Sequence, residues 1–158
     1  MSQRVVVLNG PASVGKTTVG PRLAATARNG VCIHGDDLAA FVVAHEPGTV
    51  AHGLVERGAA ALADLYLTTG YELVVFEHRL PAPRDVDRFR RALRSTAAVR
   101  PVTLWAPLSV LLARGGGREA ETAWAQMDAH LAELGPVVDA DAPVAQVVDA
   151  VLAALEAA

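Results

Sequence analysis

The chain alternates short, continuously apolar segments with longer segments in which apolar residues return every three or four positions. Runs such as VVVL and LVVF contain no polar residue, which is typical of strands covered on both faces of a sheet. The predicted strands span residues 4–8, 30–34, 72–76, 99–105 and, on a weaker pattern, 137–139. The predicted helices span residues 15–27, 37–45, 50–69, 84–96, 107–114, 119–134 and 143–157.

The helical period is clear in residues 50–69, where Val50, Leu54, Ala61 and Leu65 are expected on one apolar stripe. Strands that alternate with such helices predict an α/β fold, a three-layer sandwich around a mainly parallel sheet. The sequence contains no internal repeat, linker or low-complexity segment. A single domain over residues 1–158 is therefore expected.

The composition limits the kinds of partner that the protein is expected to bind. Hydrophobic residues make up 52% of the chain and the formal net charge is −3, so the chain has no positive field for nucleic acid or an anionic membrane. No apolar run approaches the roughly 18 residues of a membrane span. Cys32 is the only cysteine, which excludes a disulfide framework and a cysteine zinc site. A soluble cytoplasmic protein is expected, and its oligomeric state stays open.

The strongest motif follows the first strand. Gly10, Gly15, Lys16 and Thr17 satisfy G-x-x-x-x-G-K-[ST], in which a curled backbone and a helix N-terminus bind phosphate oxygens. Lys16 would reach the β- and γ-phosphates, and the Thr17 hydroxyl would bind Mg²⁺. Lys16 is the only lysine among 14 basic residues, as expected where a compact ammonium cannot be replaced by a planar guanidinium. The predicted phosphate-binding residues of the loop are Gly10, Pro11, Ala12, Ser13, Val14, Gly15, Lys16, Thr17 and Thr18.

With this loop in place, the opening VVVLNGPASVGKTT and the second strand ending in IHGDDL resemble the small P-loop kinases of metabolites. Shikimate kinase, gluconate kinase and chloramphenicol phosphotransferase-like proteins belong to this group. The resemblance extends loosely over the whole chain. It implies a five-stranded parallel sheet in the order 2-3-1-4-5, a short lid over about residues 114–123, and the use of ATP with Mg²⁺.

The resemblance also assigns the acids after the second strand. In these kinases an aspartate at the end of strand two contacts the acceptor, and Asp36 matches that position best. Asp36 is thus expected to be catalytic and substrate-binding. It would act as a base, orient the hydroxyl, or bind Mg²⁺ beside Thr17. Asp37 is expected to contact substrate or to cap the following helix.

The third strand is followed by EHR, which offers two interpretations. Glu77 is the acid at the strand tip, where the motif called Walker B would place a carboxylate near Mg²⁺, although the usual residue is aspartate. The equivalent place in several relatives lines the acceptor pocket. On that second interpretation Glu77, His78 and Arg79 contact the substrate.

The stretch APLSVLLARGGGREAE resembles the lid of the same kinases, whose arginines close over the nucleotide. Arg114 and Arg118 match these arginines, so both are expected to bind phosphate and Arg114 to be catalytic. The three glycines between them would end the helix and allow closure.

Together these features favour an ATP-dependent kinase that phosphorylates a hydroxyl group of a small antibiotic-, sugar- or cyclitol-like alcohol. A nucleoside or nucleotide kinase is one alternative, and a non-catalytic ATP-binding regulatory module is another. A GTP switch protein is excluded, because the chain has no Asn-Lys-x-Asp guanine motif. The identity of the acceptor and the preference for ATP over other triphosphates are not encoded in any recognisable motif.

Overall fold

A five-stranded, all-parallel sheet forms the centre of the molecule. The computed structural model describes residues 3–45 and 53–157. The strands are β1 (Arg4–Asn9), β2 (Gly30–His34), β3 (Leu73–Glu77), β4 (Ala98–Trp105) and β5 (Val137–Asp139). Their order is β2-β3-β1-β4-β5, and every neighbouring pair is parallel. The predicted fold class and strand order are confirmed.

Helices cover both faces of this sheet. They are α1 (Lys16–Ala24), α2 (Gly35–Ala40), α3 (Leu54–Thr68), α4 (Pro83–Ala92), α5 (Leu108–Ala113), α6 (Gly117–Asp128) and α7 (Val144–Glu156). A 3-10 turn over Leu131–Glu133 follows α6. The predicted helix over 119–134 is thus an α-helix that begins two residues earlier and ends at Asp128.

The continuous apolar strands face two separate cores, because successive side chains of a strand point to opposite faces. Val6 and Leu8 of β1 pack in the core beneath α1 and α7, whereas Val5 and Val7 pack in the core beneath α3 and α4. All four side chains are fully buried. The absence of polar residues from these strands is explained by this double cover.

The predicted apolar stripe of α3 is wrong. Leu54 and Leu65 are exposed, by 43% and 55%, and Val50 lies outside the described residues. The buried residues of this helix are Glu56, Ala59, Ala60, Ala63 and Leu67. Alanines allow the helix to lie close to the sheet, and buried Glu56 is compensated by Arg88, whose Nη1 donates to Glu56 Oε1 at 2.7 Å.

The turn between α5 and α6 brings the start of α6 back towards the loop after β1. Gly115 and Gly117 have φ angles of 86° and 53°, a region that favours glycine. A Cβ on Gly116 would lie 2.4 Å from Ala120 Cβ and 3.1 Å from Ser13 Oγ. A larger residue at Gly116 would therefore disturb the packing of this turn.

Two tryptophans join α6 to the sheet. The rings of Trp105, at the end of β4, and Trp124, on α6, stack with centroids 5.2 Å apart. The indole N–H of Trp124 donates to the carbonyl oxygen of Ala106 at 3.1 Å. Among the described residues, no helix has the length and apolar character that crossing a membrane requires.

Candidate functional site

The loop between β1 and α1 lies at the carboxyl edge of the sheet and is anchored by Asn9. The Asn9 amide donates to the carbonyl oxygen of Leu80 at 2.8 Å, and its side-chain oxygen accepts from the backbone N–H groups of Leu80 and Gly10. Asn9 is fully buried. It therefore ties the start of the phosphate loop to the segment after β3, a role that the sequence motif does not reveal.

The backbone of this loop curls as the motif requires. Gly10, Ser13 and Gly15 have φ angles of 151°, 64° and 109°, and Ser13 is the one non-glycine residue with positive φ in the described chain. A Cβ on Gly10 would lie 2.8 Å from the carbonyl oxygen of Leu104. Helix α1 begins directly after Gly15, so its positive N-terminal end adds to the loop. This arrangement fits an anion such as a phosphate group.

Lys16 lies at the centre of the loop. Its Nζ donates to the carbonyl oxygens of Gly10 at 2.8 Å and Pro11 at 2.9 Å. Burial lowers the pKa of Lys16 from 10.5 to about 8, against the opposing charges of Glu77 and Asp36. Lys16 forms no ion pair within the described residues, so its charge is available for an anionic ligand.

Two neighbouring strands end in a hydrogen-bonded pair of side chains. His34 and Glu77 are in register at the tips of β2 and β3, and His34 Nδ1 donates to Glu77 Oε1 at 2.7 Å. Burial raises the pKa of Glu77, while the hydrogen bond from His34 and the charge of Lys16 act in the opposite direction. His34 was not among the predicted site residues.

Asp36 and His78 face each other across the same edge. Asp36 lies in the first turn of α2, its side chain 94% exposed, with one carboxylate oxygen 3.4 Å from His78 Nδ1. The His78 ring packs over Gly35, where an added Cβ would lie 2.4 Å from the ring. Burial lowers the pKa of His78, against the charge of Asp36.

The expected cap at Asp37 is wrong, since α2 begins at Gly35 with His34 as its N-cap residue. Asp37 instead lies exposed within the first turn. Its proposed contact with substrate stays a prediction.

These elements enclose a small cavity of about 70 Å³, which we call the acid pocket. Its polar lining residues are Lys16, Asp36, Glu77, His78, Arg79 and Glu119. The structure thus brings together five residues that the sequence proposed separately. Glu119 was missed; the available signal was an acid in the first turn of the helix that follows the predicted lid glycines.

A second cavity, of about 350 Å³, also borders the phosphate loop, shares no lining residue with the acid pocket and is called the loop cavity. Arg114 lines it and donates to the carbonyl oxygens of Val14 at 3.3 Å and Ala140 at 3.0 Å. Its remaining lining residues are Ser13, Val14, Gly15, Thr18, Val19, Ala140, Ala142, Val144 and Val147. Arg114, the predicted catalytic arginine, therefore lines the loop cavity and is not among the described lining residues of the acid pocket.

The other predicted ligands lie at the N-terminal ends of helices. Thr17 is exposed in the first turn of α1, and Arg118 is exposed in the first turn of α6. No group of three or more His, Cys, Asp or Glu side chains among the described residues is arranged to hold a metal ion. The proposed Mg²⁺ contact of Thr17 and the phosphate contact of Arg118 stay predictions.

Comparison with known proteins identifies a sequence family and solved structures of similar fold. The sequence profile of the AAA domain family matches residues 5–136, which is most of the chain. No curated protein sequence matches significantly.

Solved structures of similar fold cover nearly the whole chain. A gluconokinase from Sinorhizobium meliloti 1021 is 19% identical, with a TM-score of 0.73, over 98% of this chain and 92% of its own. The tunicamycin resistance protein of Deinococcus radiodurans is 15% identical, with a TM-score of 0.75, over 98% and 96%. Shikimate kinase from Aquifex aeolicus vf5 is 14% identical, with a TM-score of 0.67, over 96% of both chains. At these identities the likeness shows a common fold.

Proposed function

The chain belongs to the AAA domain family, and on that premise we propose that it is an ATP-dependent phosphotransferase whose acceptor is a hydroxyl group of a small molecule. The observation that carries the proposal is the position of Lys16. Its ammonium lies in the phosphate loop and also lines the acid pocket, so a phosphate bound to it would face Asp36. The fold shared with gluconokinase and shikimate kinase supports the same reaction class.

We assign ATP and the acceptor to different cavities. The loop cavity, with Thr18, Arg114 and the apolar residues after β5, would take the nucleoside part of ATP. The acid pocket would take the acceptor. On this assignment a phosphoryl group on the loop would lie between nucleoside and acceptor, and phosphoryl transfer requires the attacking and leaving oxygens to be roughly in line.

The residues of the loop fit a Mg²⁺-bound triphosphate, because they combine a curled glycine-rich backbone, a helix N-terminus, one ammonium and the Thr17 hydroxyl. In the reaction a bond forms between the acceptor oxygen and the γ-phosphorus, the bond to the bridging oxygen breaks, and ADP leaves. Bound Mg²⁺ would offset the negative charge of the phosphates. Asp36 would align the acceptor hydroxyl and accept its proton.

The arginine positions support a small alcohol better than a nucleotide as acceptor. Arg79 is the arginine among the described lining residues of the acid pocket. Arg57 and Arg84 line a different cavity, between α3 and α4. A nucleotide acceptor would need several cations around its own phosphate.

The proposal is tested by incubating the purified protein with γ-labelled ATP and Mg²⁺ in the presence of a panel of alcohols. Transfer of label to at least one alcohol is expected. Lys16→Ala is expected to abolish the transfer while keeping the circular dichroism spectrum of the folded protein. Stable ATP binding with no transfer to any alcohol would instead support a regulatory module, and equal transfer by Lys16→Ala would refute the site.

A further inference from the structure

We propose that the acceptor is an amino alcohol, and that Glu119 recognises its protonated amine. The inference rests on the proposed function, because the acid pocket is an acceptor site only if the protein transfers a phosphoryl group. Beyond the proposed function, the inference specifies the charge of the acceptor and the residue that recognises this charge.

The charges around the acid pocket carry the inference. Three carboxylates line it from three separate elements: Asp36 on α2, Glu77 at the end of β3 and Glu119 on α6. The opposing cations are Lys16 and Arg79. Lys16 is assigned to the phosphates of ATP, which leaves three carboxylates and one cation, Arg79, among the described lining residues. The remaining charge that faces the acceptor is negative.

The three carboxylates differ in their burial and in the partners that they already have. Glu77 is 4% exposed and already accepts a hydrogen bond from His34. Asp36 is assigned to the acceptor hydroxyl. Glu119 is exposed, and within the described residues it forms no ion pair. Glu119 is thus the carboxylate available for a charged group of the acceptor.

The size of the pocket limits which part of the acceptor these charges meet. A cavity of about 70 Å³ has room for roughly two water-sized groups. A hydroxyl and an adjacent ammonium match that space and the charge around it. A carboxylate in the same place would lie among three like charges and beside the phosphates, which is unfavourable.

The experiment compares acceptors matched on one carbon skeleton. One series is glucosamine, glucose and glucuronate; the other is serinol, glycerol and glycerate. For each compound kcat/KM is measured from ADP release and from labelled product. The wild-type protein is expected to prefer an amine at least about tenfold over its neutral partner, the size of a charge-assisted hydrogen bond, and to use the carboxylate least.

Variants of α6 test the assignment of Glu119. Glu119→Gln is expected to reduce the ratio of amine to neutral kcat/KM to below about threefold, and Glu119→Lys to shift the preference towards the carboxylates. Glu121→Gln is the matched control, because Glu121 is an exposed glutamate on the same helix that is not assigned to the pocket. It is expected to keep the wild-type ratio.

The outcomes separate this inference from the proposed function. Phosphorylation of neutral alcohols or carboxylates with no amine preference overturns the inference and leaves the phosphotransferase in place. An amine preference that Glu119→Gln does not change overturns the role of Glu119. No transfer to any member of either series, with wild-type protein that binds ATP, counts against the proposed function and the inference together.

Discussion

Replacing Lys16 with methionine is expected to change how the stability of the protein depends on pH. Methionine keeps much of the length of the side chain and removes its charge. In the unfolded chain the lysine keeps its proton up to pH 10.5, whereas in the folded protein burial lowers its pKa to about 8. Between these values the unfolded state binds more protons, so the stability of the wild-type protein rises with pH.

The magnitude follows from the shift in pKa. A shift from 10.5 to about 8 corresponds to about 3.4 kcal/mol at 1.36 kcal/mol per unit. This penalty is fully present below pH 8 and is relieved as the pH rises towards 10.5. In the variant it is absent at every pH. The loss of the hydrogen bonds to Gly10 and Pro11 shifts the variant's stability by an amount that does not depend on pH.

The assay is urea unfolding of the two proteins, without nucleotide, at intervals between pH 7 and pH 10. The free energy of unfolding of the wild-type protein is expected to gain about 2–3 kcal/mol relative to Lys16→Met over this range. Arg22→Met, which removes an exposed cation from the same helix, is the control for a change in net charge. A difference between wild type and Lys16→Met that is the same at pH 7 and pH 10 would refute the reasoning.

Three further predictions concern the residues around the loop. Asp36→Asn is expected to bind ATP normally in calorimetry but to transfer phosphate at least ~100-fold more slowly, the lower end of acid–base catalysis; lost ATP affinity with normal turnover would place Asp36 at Mg²⁺. Arg114→Ala is expected to raise the KM for ATP more than it lowers kcat, because Arg114 lines the loop cavity. A fall confined to kcat in steady-state assays would instead indicate that Arg114 contacts the transferring phosphate. Gly116→Val is expected to lower stability by about 1–3 kcal/mol in urea unfolding and to weaken ATP binding, since a Cβ there approaches Ala120 and Ser13; unchanged stability would contradict the close packing.

The strands and the phosphate loop were predictable because their signals are local. A continuous apolar run buried on both faces leaves its pattern within five residues, as in Val5–Leu8 followed by the glycines of the loop. Lys16 is identified by its spacing from Gly10 and Gly15 alone. The strand order came from the resemblance to P-loop kinases, since local periodicity does not encode which strands pair.

The rest of the candidate site depends on contacts between distant parts of the chain. The side chain of Asn9 forms hydrogen bonds to the backbone of Leu80, which follows the neighbouring strand β3. The side chain of His34 forms a hydrogen bond to Glu77 on the strand beside it. Glu119 reaches the acid pocket only because the turn after α5 returns α6 to the phosphate loop. The error in α3 has a similar cause: hydrophobicity favours leucines on the buried face, but close approach to the sheet selects alanines, and the ion pair with Arg88 allows Glu56 to be buried.

The stacked tryptophans give the protein an optical property of practical use. They are the two tryptophans of the whole sequence, one fixed in the sheet and one carried by α6. Any displacement of α6 on the addition of ATP would separate the two indole rings, changing both the fluorescence and the near-ultraviolet circular dichroism. The wild-type protein thus carries an intrinsic reporter of the position of α6, and rapid mixing with ATP would detect a displacement in the microsecond to millisecond range of lid closures without an attached dye.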